Sequence, residues 1–298
     1  MPDFANQTVY ITGAASGMGL QTARQLAARG AHIICLDRSP NAASLAEIRA
    51  ACVTGSQQVQ GFRLDVAVRS EVLAVLPEVA AQCGAPDLLV HMAGIGGVGE
   101  FLDMPFEQFD QMLQINLYGT RHICEAVLPL MLQRGHGKLV LAGSLGGIVP
   151  VYGYTAYGTS KFAVLGFAQC LRYELKPRGI DVLCFCPGEV ATAGLAAERE
   201  ATHPATRAMK LIGGTLPAER AVAALIKGIR HNRFLIVPGW KNVLTHWAVR
   251  LTPLPLWQAV TDGIVALALR KAGRDTPSPR EDAMPMPQNV KSMPRKVK

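Results

Sequence analysis

Seven short apolar runs recur along the chain, at Thr8–Thr12, His32–Asp37, Val59–Leu64, Leu88–His91, Lys138–Ala142, Ile180–Cys186 and Phe234–Val237. Amphipathic stretches of helical length separate them. Strands that alternate with helices in this way join by right-handed crossovers. The rhythm therefore predicts an α/β, doubly wound architecture: a mostly parallel seven-stranded sheet with helices on both faces. Such strands are buried on both sides, which is why they read as nearly unbroken apolar runs. An apolar share of 49% over 298 residues supplies the core for one large domain with appendages.

The first run, TVYIT, ends in TGAASGMG at Thr12–Gly19, and MGLQTARQLAARG then takes up helical spacing. Gly13, Gly17 and Gly19 thus fall at a strand-to-helix turn. The missing side chains let the backbone approach a pyrophosphate at the positive end of the helix. Asp37 closes the second strand about twenty residues beyond these glycines, where a carboxylate can hold both ribose hydroxyls of an adenosine. It would repel a 2′-phosphate, so NAD is expected over NADP. Arg38, next along, is the residue type that binds that phosphate in NADP-using proteins.

Tyr157 and Lys161 stand at i and i+4 and share one helical face. A free phenol titrates near pH 10, so acid–base work near pH 7 needs a shift worth about 4 kcal/mol. A cation at about 4 Å in an effective dielectric of about 20 supplies that much. Lys161 is the expected cation and Tyr157 the expected proton donor. Ser144 can hydrogen-bond the same substrate oxygen and fix its direction. Taken alone, Ser144 or Asn116 would read as a helix cap or a satisfied loop polar group, and Asp65 as a helix N-cap.

In order and spacing, TGAASGMG, Asp37, LDV around Asp65, HMAG at His91–Gly94, Asn116 in INLYG, Ser144 in AGSLGG, Tyr157-Gly-Thr-Ser-Lys161 and PGEVAT at Pro187–Thr192 resemble the short-chain dehydrogenase/reductase family over roughly residues 5–239. The resemblance implies a Rossmann fold, an NAD(P)-dependent reaction between an alcohol and a ketone, and a catalytic set of Asn116, Ser144, Tyr157 and Lys161. In that set Asn116 holds a water of a proton relay, and Lys161 also grips the nicotinamide ribose. The resemblance implies cofactor contacts at Gly13, Ser16, Gly17, Met18, Gly19, Asp37, Arg38, Asp65, Val66, Ala93, Gly94, Tyr157, Lys161, Pro187, Gly188, Val190 and Thr192. Residues Ala191–Leu216 would form a mobile lid. His91 departs from the family pattern, which has Asn there. The string from Ala156 to Val182 and the lipophilic C-terminal segment look similar to lipid-handling members such as ketosphinganine reductases, and imply a small lipophilic substrate and a homo-oligomer, dimer or tetramer. The alternatives are a catalytically silent NAD(P)-binding sensor or scaffold, and an epimerase or dehydratase, which would need a larger C-terminal substrate domain.

The net charge of +8 is unevenly placed. From Arg270 onward the chain has eight basic and three acidic residues, whereas residues 1–239 carry only +2. A nearly neutral body with 6% aromatic residues argues against a nucleic-acid partner. Seven cysteines without Cys-x-x-Cys spacing, and a first strand by Thr8, point to a reducing, cytoplasmic setting. The histidines show no metal-ligand spacing, so no metal is expected. The chain therefore divides into a catalytic domain over 1–239, an apolar, amphipathic helical extension over 240–273 and a basic, disordered tail over 274–298. In the extension, Asn242, Thr245, His246 and Arg250 make a polar stripe opposite Val243, Leu244, Trp247, Ala248 and Leu251. Its three tryptophans and the basic tail suit peripheral contact with a membrane surface. Capping the substrate pocket, or pairing with a second copy, is the competing expectation for this extension.

Overall fold

The computed structural model describes residues 3–192, 195, 202–211 and 213–273. The tail expected over 274–298 lies outside them, as do 193–194, 196–201 and 212 of the expected lid. Strands β1 (Thr8–Thr12), β2 (His32–Asp37), β3 (Val59–Arg63), β4 (Leu88–His91), β5 (Gly137–Ala142), β6 (Ile180–Phe185) and β9 (Leu235–Ile236) form one sheet in the order β3-β2-β1-β4-β5-β6-β9. Every pairing in it is parallel rather than mostly so.

The strand alternation sorts the core into two layers. Val9, Ile11, Ile33 and Val90 point to the side covered by α1 (Gly17–Ala27) and α8 (Ala218–Arg230), where they meet Ala23, Leu26, Val222 and Leu225. Tyr10, Ile34, Leu89 and Leu141 point to the opposite side. There they meet α3 (Arg69–Cys83), α5 (Gly119–Arg134) and α6 (Thr155–Leu175) through Leu76, Val127 and Val164. Cys184 and Cys186 share that second layer, with their sulfurs 3.6 Å apart, as their alternation along the chain predicts. All seven cysteines are free.

Helices α2 (Ala42–Ala50) and α4 (Phe106–Leu113) complete the sheet's surroundings, and α4 runs on into a π-helical turn at Gln114–Tyr118 before α5. Two three-residue strands, β7 (Glu189–Ala191) and β8 (Thr215–Pro217), pair in parallel on either side of α7 (Pro204–Lys210). They bracket the segment Ala191–Leu216 expected to form the lid. Its ends are tied into a small sheet, and a helix sits between them.

After Gly239 come α9 (Trp240–Leu251) and α10 (Leu254–Ala272). Pro253, whose ring fixes φ at −53°, separates them. Helix α10 packs against α7, so residues 240–273 are laid back onto the rest of the fold.

Candidate active site

The sheet order reverses between β1 and β4, and chains leaving the carboxyl ends of these two strands diverge to open a crevice. The candidate residues stand along that edge: Gly13 just past β1, Asp37 at the end of β2, Asp65 past β3, Ala93 and Gly94 past β4, Ser144 past β5, and Pro187 past β6.

A groove of about 390 Å³ runs along the first part of this edge, lined by Gly13, Ser16, Gly17, Met18, Gly19, Asp37, Arg38, Asp65, Val66, Ala93 and Gly94. Gly13 has φ +68°, and a Cβ there would lie 2.9 Å from the Ala93 amide nitrogen. A Cβ on Gly19 would collide with the Gly13 carbonyl oxygen. These two glycines are therefore required by the close passage of β1, β4 and the start of α1. Ser16 precedes α1 without capping it through its side chain. The carboxylate of Asp37 accepts hydrogen bonds from Ala15 N at 3.0 Å and Ser39 N at 2.9 Å, which fixes it beside the glycine turn. Asp65 accepts from Ala67 N at 3.0 Å, a local turn rather than the helix N-cap, which falls on Val68. A bare backbone turn at a helix N-terminus with a fixed carboxylate beyond it fits a dinucleotide.

Met18, Met92, Gly94 and Ile95 join this groove to a second cavity of about 350 Å³. Ser144, Tyr157 and Lys161 line its base together with Pro187, Gly188, Val190 and Thr192. Gly147 makes this convergence possible: a Cβ there would lie 2.6 Å from the Lys161 carbonyl oxygen, so only glycine lets the turn after Ser144 close onto α6. The Ser144 hydroxyl oxygen accepts from Gly146 N at 3.0 Å, which orients it. Lys161 is buried, donates to the Ala142 carbonyl at 2.9 Å, and lies 5.9 Å from the centre of the Tyr157 ring. Burial pulls its pKa down to about 8. Tyr154 packs edge-on against Tyr157, ring centres 5.1 Å apart.

Asn116 lines neither space. It lies buried in the π-helical turn, where its Oδ1 accepts from Ile95 N (2.9 Å) while its Nδ2 donates to the Ile95 carbonyl (2.9 Å) and to Ser160 Oγ (3.0 Å). A Cβ on Gly94 would fall 3.0 Å from Asn116 Oδ1 and 3.4 Å from Lys161 Nζ. Asn116 and Lys161 therefore approach one another behind that glycine. His91, the departure from the family pattern, is also buried. Its Nδ1 pairs with Thr12 Oγ1 at 2.8 Å, and the same oxygen accepts from Met92 N and Ala93 N. Burial, with Lys161 nearby, lowers its pKa to about 3. It is a neutral ring that ties β4 to β1.

The rest of the cavity wall comes from residues that the motifs do not reach. Val149, Val151, Leu195 and Met209 are apolar, and the extension adds Asn242, Thr245, Trp257 and Thr261. The pocket-lining expectation for residues 240–273 describes this inner side. The sequence signal for Asn242 and Thr245 is the polar stripe, since both are buried.

The family model for short chain dehydrogenases matches residues 7–203. The chain belongs to the short-chain dehydrogenase/reductase family. Among curated relatives, it is 37% identical over 190 residues to the probable oxidoreductase EphD of Mycobacterium tuberculosis. That match covers 63% of this chain but only 32% of EphD, so the chain spans about a third of that relative's length. It is 36% identical to the oxidoreductase UcpA of Escherichia coli, covering 64% of this chain and 72% of UcpA. It is 30% identical to 3-ketodihydrosphingosine reductase of Bos taurus, covering 76% and 69%. Among solved structures, a short chain dehydrogenase/reductase from Burkholderia phymatum in complex with NAD superposes with a TM-score of 0.72 at 24% identity, covering 84% of this chain and 94% of that one. This last likeness speaks to the fold.

Proposed function

We propose that this oxidoreductase interconverts a ketone and a secondary alcohol on a lipophilic molecule, of long-chain keto lipid, steroid or retinoid type, and prefers NAD(H) to NADP(H). The observation that carries this reading is that Ser144, Tyr157 and Lys161 line one cavity with the apolar Val149, Val151, Leu195, Met209 and Trp257, beside the Lys210–Glu189 ion pair, and that this cavity is continuous with the glycine groove. The name of the relative 3-ketodihydrosphingosine reductase supports the same substrate class.

Gly13, Ser16, Gly17 and Gly19 would cradle the pyrophosphate, Asp37 the adenosine ribose, Asp65 and Val66 the adenine side, and Pro187, Gly188, Val190 and Thr192 the nicotinamide. When bound, the cofactor supplies or accepts the hydride. In reduction Tyr157 gives its phenolic proton to the carbonyl oxygen, and in oxidation it takes the proton from the alcohol. Ser144 holds the same oxygen, so that the reacting carbon faces the nicotinamide side of the cavity. Lys161 favours the tyrosinate by charge, and it is held in place by the Ala142 carbonyl. Asn116 braces the turn beside Lys161, and we assign it the relay water that restores the proton. Asp37 carries the cofactor preference, since a 2′-phosphate beside its carboxylate would be repelled.

The chain is proposed to work as a homo-oligomer and to touch a membrane peripherally through residues 240–273. Among the described residues no helix is long and apolar enough to cross a membrane. Rates with NADH and NADPH, measured across ketones of increasing chain length, test the reading. We expect KM to fall with chain length and NADH to be preferred. A ten-fold preference for NADPH would overturn the cofactor assignment, and a preference for short polar ketones would overturn the substrate class.

A further inference from the structure

Helix α9 is amphipathic in the opposite sense to an ordinary surface helix. The Asn242 and Thr245 part of its polar stripe faces the protein: both are buried and line the substrate cavity, while Arg250 at the stripe's edge is exposed. Its apolar stripe faces outward, with Trp240 70%, Trp247 48% and Leu251 74% exposed, and Val243 and Leu244 between them. Exposed apolar residues continue on α10 at Leu254, Leu256, Val260 and Leu267. A contiguous apolar helix face held outward marks a surface that something covers.

The chemistry beside this face identifies the cover. A groove of about 390 Å³ separates α9 from α6 and β9. Its apolar floor includes Leu165, Phe234 and Val249, its polar groups come from Arg172, Arg250, His246, Gln169 and Tyr173, and no carboxylate lines it. The Arg172 guanidinium lies over the rings of Phe234, at 5.6 Å, and Tyr173, at 5.9 Å. Neither arginine has an ion-pair partner among the described residues. The Nδ1 of His246 is buried without a hydrogen-bond partner. Two arginines over an apolar floor suit an acidic oxygen cluster that carries hydrocarbon. Helices α9 and α10 carry Lys241, Arg250, Arg270 and Lys271 against Asp262 alone, so the charge of the whole extension has the same sign.

We propose that the outward face of α9 and the Arg172–Arg250 groove together dock on a bilayer containing anionic phospholipid. In this arrangement Trp247 and Leu251 enter the interfacial layer and the two guanidiniums hold a lipid phosphate. The inference rests on the proposed peripheral contact and names its lipid class and its residues. Because α9 is also a wall of the substrate cavity, docking sets that cavity beside the phase in which a lipophilic substrate dissolves.

The test is flotation of the full chain with phosphatidylcholine vesicles, with and without phosphatidylglycerol. Wild type, Arg172→Gln/Arg250→Gln and Trp247→Ala/Leu251→Ala are compared, with turnover of a water-soluble ketone as the check on folding. We expect wild type to float with the anionic vesicles. The double arginine variant should lose about thirty-fold in affinity for them, and the apolar variant should lose binding to both vesicle types, with soluble turnover unchanged in each. Equal binding of wild type to neutral and anionic vesicles would overturn the phosphate site while leaving the membrane contact standing. No flotation of wild type even at low salt would overturn both. If Trp247→Ala/Leu251→Ala instead changes the oligomeric state and leaves flotation intact, the face belongs to a second copy and the proposal fails. Turnover of lipophilic ketones is a separate readout, so a failed substrate assignment is distinguishable from a failed docking surface.

Discussion

Lys161 is held where a charge is expensive, and its replacement by methionine should separate stability from function. The ammonium is buried and donates to the Ala142 carbonyl, and burial brings its pKa from the ordinary 10.5 down to about 8. Each pH unit in that interval is worth about 1.4 kcal/mol, so keeping this lysine charged in the folded protein costs about 3 kcal/mol. Between about pH 8 and pH 10.5 the unfolded chain holds the proton and the folded protein has lost it. Wild-type stability therefore rises with pH in that window relative to a variant with no titrating group. Below about pH 8 both states are protonated and the full cost is present. Lys161→Met removes that cost but leaves the Ala142 carbonyl without its donor, an opposing loss of about 1–3 kcal/mol. At pH 7 the variant should accordingly be about as stable as wild type or up to about 2 kcal/mol more stable, although inactive.

The assay is urea unfolding of both proteins without cofactor, followed by far-ultraviolet circular dichroism from pH 7 to pH 10.5. The difference in unfolding free energy, wild type minus variant, should be level to about pH 8 and then climb by about 3 kcal/mol. A difference that stays level across the whole range would refute the reasoning, because Lys161 would then titrate alike in both states.

Other perturbations probe the groove. Gly19→Ala places a Cβ against the Gly13 carbonyl oxygen. The resulting overpacking of about 1–3 kcal/mol should weaken NADH binding by about five- to 150-fold, measured by fluorescence titration. At Gly17 a Cβ would meet no protein atom within 4 Å, so Gly17→Ala should act through the strain of φ +53° and through crowding of the proposed pyrophosphate, with an affinity loss of about five- to 150-fold. Asp37→Ser removes the carboxylate facing the proposed ribose site and should move the NADPH/NADH ratio of kcat/KM at least about ten-fold toward NADPH. An unchanged ratio would remove Asp37 from the cofactor argument.

What the chain discloses in its sequence is what depends on neighbours along it. Strand limits were legible because runs such as HIICLD are buried on both faces, and the glycine turn because strand, glycines and helix are contiguous. The β7–β8 pair was not legible, since three-residue strands show no periodicity and Glu189 and Thr215 meet only in three dimensions. Nor did INLYG announce a π-helical turn, whose register is set by the contacts of Asn116 with Ile95 and Ser160. The stripes of α9 were visible as a pattern, but an amphipathic pattern does not say which stripe faces inward. Only packing shows that Asn242 and Thr245 are buried while Trp247 is exposed. The apolar cavity walls were hidden for the same reason, because Val149, Met209 and Trp257 come from distant parts of the chain.

In the proposed reaction Tyr157 moves the proton that accompanies hydride transfer in this cavity. The direct measurement supplies NADH carrying deuterium at the transferable position together with a long-chain ketone, and follows deuterium at the carbinol carbon by mass spectrometry for wild type and Tyr157→Phe. The predicted result is rapid labelling by wild type and labelling slowed by about 10²–10⁴-fold in the variant, with NADH affinity kept within a few-fold. A variant that keeps more than about a tenth of the wild-type rate would contradict the assignment.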